Sequence, residues 1–250
     1  MNAIYETVAE SIPQPDLLFM NYGFSSRGLE DSWIHAPDAP FRLHLNLIRH
    51  LLAGVDLGGK SVLEIGCGRG GNCYYLSRYT EASRIVGLDL CALNLISARQ
   101  NPVLERAEFV AGDAQQLPIA SRCFDVVLNL ESSHCYGDFD KFVAEAARVL
   151  KTRGTFCFAD LWDVDALDLD WQARRQALNH SPMEIIEEED ISEQVFRAIA
   201  QPGNICEQLD ALADAKTRPL IARIIRSTEA LQAGLATGDY SYRLWKMRKV

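Results

Sequence analysis

The sequence predicts an α/β fold built on a mostly parallel sheet, and three observations carry that prediction. From residue 60 onward, short apolar runs alternate with segments of helical spacing. Runs such as Phe124-Asp125-Val126-Val127-Leu128 place apolar residues on both faces, as strands covered on both sides do. The run over 61–65 ends in a glycine-dense turn, Gly66-Cys67-Gly68-Arg69-Gly70-Gly71, which leads straight into a helical pattern. Alternation of this kind joins parallel neighbours through covering helices.

Taken in order, residues 1 to about 20 are amphipathic, carry Pro13 and Pro15, and predict a helix followed by a turn. Phe19-Met20-Asn21-Tyr22-Gly23-Phe24 and a polar loop with Trp33, His35, Pro37 and Pro40 suit either a lid or aromatics packed on the main body. Leu43, Leu47, Ile48, Leu51 and Leu52 give 41–53 a helical face that stops at Gly54. Strands are expected over 61–65, 84–89, 107–111, 123–129 and 154–160, and helices over 72–80, 93–100 and 139–151, with a short turn near 115–117. A sixth strand is expected over 183–188 and a last one over 240–249, with a largely helical insertion over 191–238 between them. This divides the chain into an N-terminal lid and pre-core helix (1–54), a binding core (55–162) and a C-terminal part with a helical cap (163–250).

The 250 residues are 48% hydrophobic and 24% charged, enough for one substantial core with a cap. A formal net charge of −9 argues against a nucleic-acid backbone or an anionic membrane as the main partner. The seven cysteines form no C-x-x-C pair and are odd in number, so they read as buried thiols rather than a zinc site or a disulfide framework. No acidic cluster with metal spacing stands out, and no metal is expected. The N-terminus lacks a basic stretch followed by an apolar run, and no apolar run approaches the roughly 18 residues of a membrane span. A cytoplasmic protein without a membrane span is the expectation.

The glycines do two things: they permit φ > 0 in a tight turn, and they let backbone N–H groups approach a ligand. Gly66, Gly68 and Gly71 satisfy the dinucleotide pattern G-x-G-x-x-G, while Glu64, Gly66, Gly68 and Gly70 satisfy E-x-G-x-G-x-G. In a doubly wound sheet the ligand lies beyond the carboxyl ends of the strands, so the residues following each strand matter most. Asp89 ends the second, about 20 residues past the glycines, where a carboxylate can accept hydrogen bonds from ribose hydroxyls or simply cap the next helix. Both a nicotinamide and a sulfonium cofactor fit these features.

E-x-G-x-G-x-G, Gly112-Asp113-Ala114 after the third strand, Asp125 to Glu131 on the fourth and Arg148-Val149-Leu150-Lys151-Thr152-Arg153-Gly154 before the fifth together resemble the class I S-adenosylmethionine-dependent methyltransferases. The resemblance covers about 60–161 and departs where Thr152-Arg153-Gly154 replaces the family's Pro-Gly-Gly. It implies a Rossmann-like, seven-stranded, mostly parallel sheet whose last strand lies antiparallel beside the fifth. It further implies that S-adenosylmethionine binds at Glu64, Gly66, Cys67, Gly68, Gly70, Asp89 and Leu90. Asp113 and the Ala114 N–H would meet adenine, and the Asn129 carbonyl the donor's amino group. S-adenosylhomocysteine would be the product.

His134 follows the fourth strand and Asp160 ends the fifth, both on the side that faces the donor in this fold. A histidine oriented by a carboxylate can take the proton of an alcohol that would otherwise be a poor nucleophile. Around these residues, Val55 to Lys60, Glu131-Ser132-Ser133-His134-Cys135-Tyr136, Ala159-Asp160-Leu161 and Tyr240 to Arg243 are similar to the phthiotriol/phenolphthiotriol dimycocerosate methyltransferases. The likeness runs nearly end to end and implies O-methylation of a hydrophobic polyketide or lipid. N- or C-methylation, or a NAD-binding or non-catalytic domain, are the competing readings. Tyr22, Phe24 and Arg42 are lid or substrate candidates, and the helical insertion is a substrate cap or a homodimer surface.

Overall fold

In the computed structural model, which describes residues 2–12, 17–163 and 171–250, β1 (Ser61–Ile65) is buried at every position after its first. It occupies the middle of a seven-stranded sheet ordered β3-β2-β1-β4-β5-β7-β6. β2 (Arg84–Asp89) and β3 (Ala107–Ala111) continue it on one side, β4 (Phe124–Leu130) and β5 (Leu150–Asp163) on the other, all parallel. β7 (Tyr240–Lys249) is antiparallel to β5, and β6 (Met183–Asp190) is antiparallel to β7. The chain therefore reverses its direction of growth between β1 and β4, and a crevice opens at their carboxyl ends.

Alternation along the strands divides the core between the two faces. Val62, Cys157 and Ala159 join the cluster under α2 (Arg42–Leu51), α3 (Gly71–Tyr79) and α4 (Ala92–Arg99). Leu63, Phe156 and Phe158 join the opposite cluster under α5 (Phe139–Val149) and α6 (Trp171–His180). A third cluster holds Val8, Ile12 and Leu17 against Ile205, Leu209 and Ile221, so α1 (Asn2–Ser11) packs on α8 (Ile205–Ala211) and α9 (Arg218–Thr237). α7 (Ser192–Ile199) packs against α9, and both pack on β7. Among the described residues no helix is long and apolar enough to cross a membrane.

β1, β2, β3 and β7 match the predicted spans. β4 and β5 do not, and the reason is pairing: Leu150 pairs with Phe124, so the helix expected to reach 151 ends at Val149 and β5 starts there. At its other end β5 runs on to Asp163 because β7 pairs with it as far as Tyr240. Gly70, with φ +85°, starts α3 one residue earlier than expected. The insertion resolves into three helices, α8 capped by the Asn204 side chain, which accepts from Cys206 N at 2.8 Å, and α9 stopped by Gly238 at φ +85°. Pro13 and Pro15 lie outside the described residues, and α6 has no counterpart among the elements expected from sequence. At the sheet edge, β6 carries Glu184, Glu187, Glu188, Glu189 and Asp190; Lys246 Nζ lies 2.9 Å from Glu187 and Arg243 Nη2 3.3 Å from Asp190.

Candidate active site

The carboxyl ends of β1 to β4 open into a cleft of about 360 Å³ beneath a strap formed by residues 18–22. On one side the cleft is backbone. Gly66 and Gly68 have φ of +74° and +51°, in the left-handed region that a Cβ disfavours. A Cβ on Gly66 would stand 2.3 Å from Ser132 Oγ and 2.6 Å from the Tyr136 hydroxyl, whereas one on Gly68 would meet only Met20 Sδ, at 3.8 Å. Gly68 N donates to Asp89 Oδ2 and Cys91 N to Oδ1, each at 2.8 Å, which fixes the turn to the end of β2. Burial raises the Asp89 pKa, and those N–H groups pull it back. Glu64, 1% exposed, accepts from Asn72 Nδ2 at 2.5 Å and from Cys73 Sγ at 3.1 Å; burial pushes it up to about 7. Asp113 holds its turn by accepting from Gln115 N at 2.8 Å.

On the other side the cleft is side chain. His134 sits in a single 3-10 turn, Ser133–Cys135, with Nδ1 2.8 Å from Asp160 Oδ1. Asp160 is fully buried and accepts from Ser133 Oγ at 2.6 Å, from His134 N at 3.0 Å and from Leu161 N at 2.8 Å. Burial opposes the Asp160 charge, but His134 and Ser133 outweigh it and the carboxyl lies below its usual range. Burial likewise pushes His134 down, yet the adjoining carboxylate holds it well above the ordinary histidine value. Each partner thus favours the charged form of the other, and another positive charge entering the cleft would oppose the imidazolium.

Of the expected donor-binding residues, Glu64, Gly66, Cys67, Gly68, Asp89, Leu90, Asp113 and Ala114 all line the cleft. Gly70 and Asn129 do not. Gly70 faces the core, where a Cβ would meet Leu104 Cδ1 at 2.9 Å. Asn129 lies beneath the floor because β4 runs one residue further than expected; its Nδ2 donates to Ile65 O at 2.8 Å and to Ser132 Oγ at 2.7 Å. Leu130 and Glu131 take the lining position instead. Of the lid candidates, Tyr22 lines the cleft. Phe24 is turned into the core by Gly23 (φ +85°) and stacks on His50 at 4.2 Å. Arg42 points away too, donating to Gln201 Oε1 at 3.3 Å and Pro202 O at 3.0 Å, which ties α2 to the turn before α8. His44, fully buried and held down at about 4 by burial, braces the strap: Nδ1 meets Asn21 O at 2.7 Å and Nε2 meets Gln208 Nε2 at 3.0 Å.

Sequence patterning assigns no role to Glu131. It has φ +50°, and its carboxylate accepts from Tyr22 N at 3.0 and 3.2 Å and from the Tyr242 hydroxyl at 2.7 Å. Burial pushes it up to about 8. Its left-handed backbone, uncommon for a residue with a Cβ, has no local sequence signal.

A family model described as a methyltransferase domain matches residues 63–158. The phthiotriol/phenolphthiotriol dimycocerosates methyltransferase of Mycobacterium tuberculosis is 33% identical over 98% of this chain and 90% of its own length. This chain belongs to the S-adenosylmethionine-dependent methyltransferases. The methyltransferase is also 33% identical to the fatty-acid O-methyltransferase of Mycolicibacterium smegmatis, over 97% of this chain and 87% of that one. A solved geranyl diphosphate C-methyltransferase from Streptomyces coelicolor, in complex with Mg2+, geranyl diphosphate and S-adenosyl-L-homocysteine, shares its fold with a TM-score of 0.70 at 16% identity, covering 99% and 98% of the two chains. The cleft of this methyltransferase fits such a donor: bare backbone at Gly68, and carboxylates at Asp89 and Asp113 for hydroxyl and amine donors.

Proposed function

We propose that this methyltransferase methylates a hydroxyl on a hydrophobic natural product of lipid or polyketide type, with His134 as general base and Asp160 as the group that orients it. The observation that carries the reading is the 2.8 Å contact between His134 Nδ1 and a fully buried Asp160 at the edge of the cleft. When bound, S-adenosylmethionine supplies a methyl group made electrophilic by the adjoining sulfonium. Asp89 would hold the ribose hydroxyls, and Asp113 with the Ala114 N–H the adenine; Glu64 sits behind the turn and stiffens it through Asn72.

With Nδ1 committed to Asp160, proton exchange with the acceptor falls to Nε2. A positive charge in the cleft opposes the imidazolium and favours the neutral base. As the acceptor oxygen attacks, its proton passes to Nε2, and the Asp160 carboxylate stabilises the imidazolium that results. Such a base matters for an alcohol and is superfluous for a carboxylic acid, which is already ionised near neutrality. The Asp160 carboxylate adds negative charge beside His134, which disfavours an anion there. On both counts a hydroxyl suits the cleft better than the fatty-acid carboxylate that the second relative's name describes. An amine already neutral at the working pH would need His134 far less, because its lone pair attacks without losing a proton first.

The test compares a long-chain secondary alcohol, a fatty acid and a fatty amine as acceptors for radiolabelled methyl transfer. Wild-type protein is expected to methylate the alcohol. His134→Ala should lower kcat on it by about 10²–10⁴, with S-adenosylhomocysteine affinity within about threefold of wild type because the substitution lies off the donor side. Turnover confined to the acid or the amine and indifferent to His134→Ala would sink the reading.

A further inference from the structure

Glu131 lines the cleft, yet neither the donor site nor the His134–Asp160 pair employs it. It stands at the end of β4, its N–H still paired to Ala159 O at 2.9 Å, while its own backbone has turned left-handed at φ +50°. That turn brings its carboxylate under the strap. Both oxygens face one backbone N–H, that of Tyr22, at 3.0 and 3.2 Å. Tyr242, fully buried on β7, holds the carboxylate from below through its hydroxyl at 2.7 Å. On either side of Tyr22 the strap is fastened to α2 rather than to the sheet: His44 holds Asn21, and Phe24 N donates to Leu43 O at 3.0 Å. Tyr22 is therefore where the strap reaches the sheet end, and Glu131 is what it reaches.

We infer that Glu131 is a positioning residue: its carboxylate clasps the strap at Tyr22 onto the end of β4, closing the roof of the cleft and seating Tyr22 beside the loop that carries His134. The clasp and the base share that loop, three residues apart, so seating the strap also fixes one wall of the space around His134. A carboxyl group suits the task because its oxygens accept from Tyr22 N–H and from the Tyr242 hydroxyl together. Closing the strap also sheds water from a site where orientation governs rate. The inference rests on the methyl-transfer reading for its purpose, but not for its geometry.

Hydrogen–deuterium exchange and S-adenosylhomocysteine titration on the full-length protein test the two separately. Glu131→Ala should speed exchange across residues 19–25 by about tenfold, the loss expected for one buried hydrogen bond, while β1 and β2 keep wild-type protection. The same variant should bind S-adenosylhomocysteine more weakly. Glu131→Gln, which still offers an oxygen to Tyr22 N, should recover most of both. Should Glu131→Ala fail to fold, Tyr242→Phe loosens the brace and should speed strap exchange by a smaller factor with the core unchanged. Unchanged strap exchange, exchange that rises equally in β1 and β2, or a glutamine variant as loose as alanine overturns the clasp. Wild-type protein that binds no S-adenosylhomocysteine overturns the methyl-transfer reading instead, and the exchange experiment still decides the clasp.

Discussion

The two walls of the cleft are made differently. The wall we assign to the donor is backbone from one βαβ stretch: Gly68 N reaches Asp89 across 21 residues of sequence. The wall we assign to the acceptor is side chains from distant segments: Tyr22 meets Glu131 across 109 residues, and Tyr242 meets it across 111. A backbone wall cannot be retuned by changing residues without being broken. A side-chain wall can, which is how a family keeps one donor while its acceptors vary.

Gly66→Ala should break the donor wall most severely. Its Cβ would enter Ser132 Oγ and the Tyr136 hydroxyl at 2.3 and 2.6 Å with an already left-handed φ, so both melting temperature and S-adenosylhomocysteine affinity should fall, the affinity by more than about 100-fold, the scale of a large single-site effect. Gly68→Ala is the control: its Cβ would meet only Met20 Sδ at an ordinary 3.8 Å, so stability should drop by only about 1–2 kcal/mol while affinity is still lost. Equal stability losses in the two variants would show that the wall's shape is not what distinguishes them. Next in size, Asp89→Ala should weaken S-adenosylhomocysteine by about 1.5–3 kcal/mol in calorimetry; unchanged affinity would place the ribose elsewhere.

The smallest effect belongs to the acceptor wall and concerns pH. His134 is raised, so its stabilising pairing is fully present below the ordinary histidine value of 6.5 and is lost as pH rises through the raised one. Asp160 is lowered, so its share is present above 3.8 and lost as pH falls through the lowered value. Every tenfold change in proton affinity between the folded and unfolded chain is worth about 1.4 kcal/mol. Denaturant midpoints should therefore decline from neutral to alkaline pH. Glu64 and Glu131, raised to about 7 and 8, add losses of the same sign, so Asp160→Asn is the comparison that isolates the pair. With His134 as the proposed base, methyl transfer should rise over the same range. A midpoint with the same pH slope in wild type and Asp160→Asn would remove the pair from the account.

The same division decides what is legible in the sequence. The strand spans at β1, β2 and β3 and the glycine turn are local: apolar runs, φ > 0 positions and a carboxylate at a fixed spacing sit within one continuous stretch. The end of β4 is not local, since pairing with β5 and β7 sets it. Apolar patterning therefore ends the strands too early there, and the lining moves from Asn129 to Leu130 and Glu131. Phe24 and Arg42 look like lid residues in sequence, yet a glycine at φ +85° turns one inward and the turn before α8 captures the other. His44 reads as a residue without a role until Asn21 and Gln208 are seen on its two nitrogens.

The acid-rich strand β6 has a consequence for assembly. Among the described residues it is the last strand in the order, and an edge strand is a template on which another sheet could grow. Two copies meeting there would bring Glu184, Glu187, Glu188, Glu189 and Asp190 against their own counterparts, with Lys246 and Arg243 already engaged from within each chain. Like charges directly opposite across a strand pair repel. Edge-to-edge growth through β6 is therefore disfavoured between two copies of this chain.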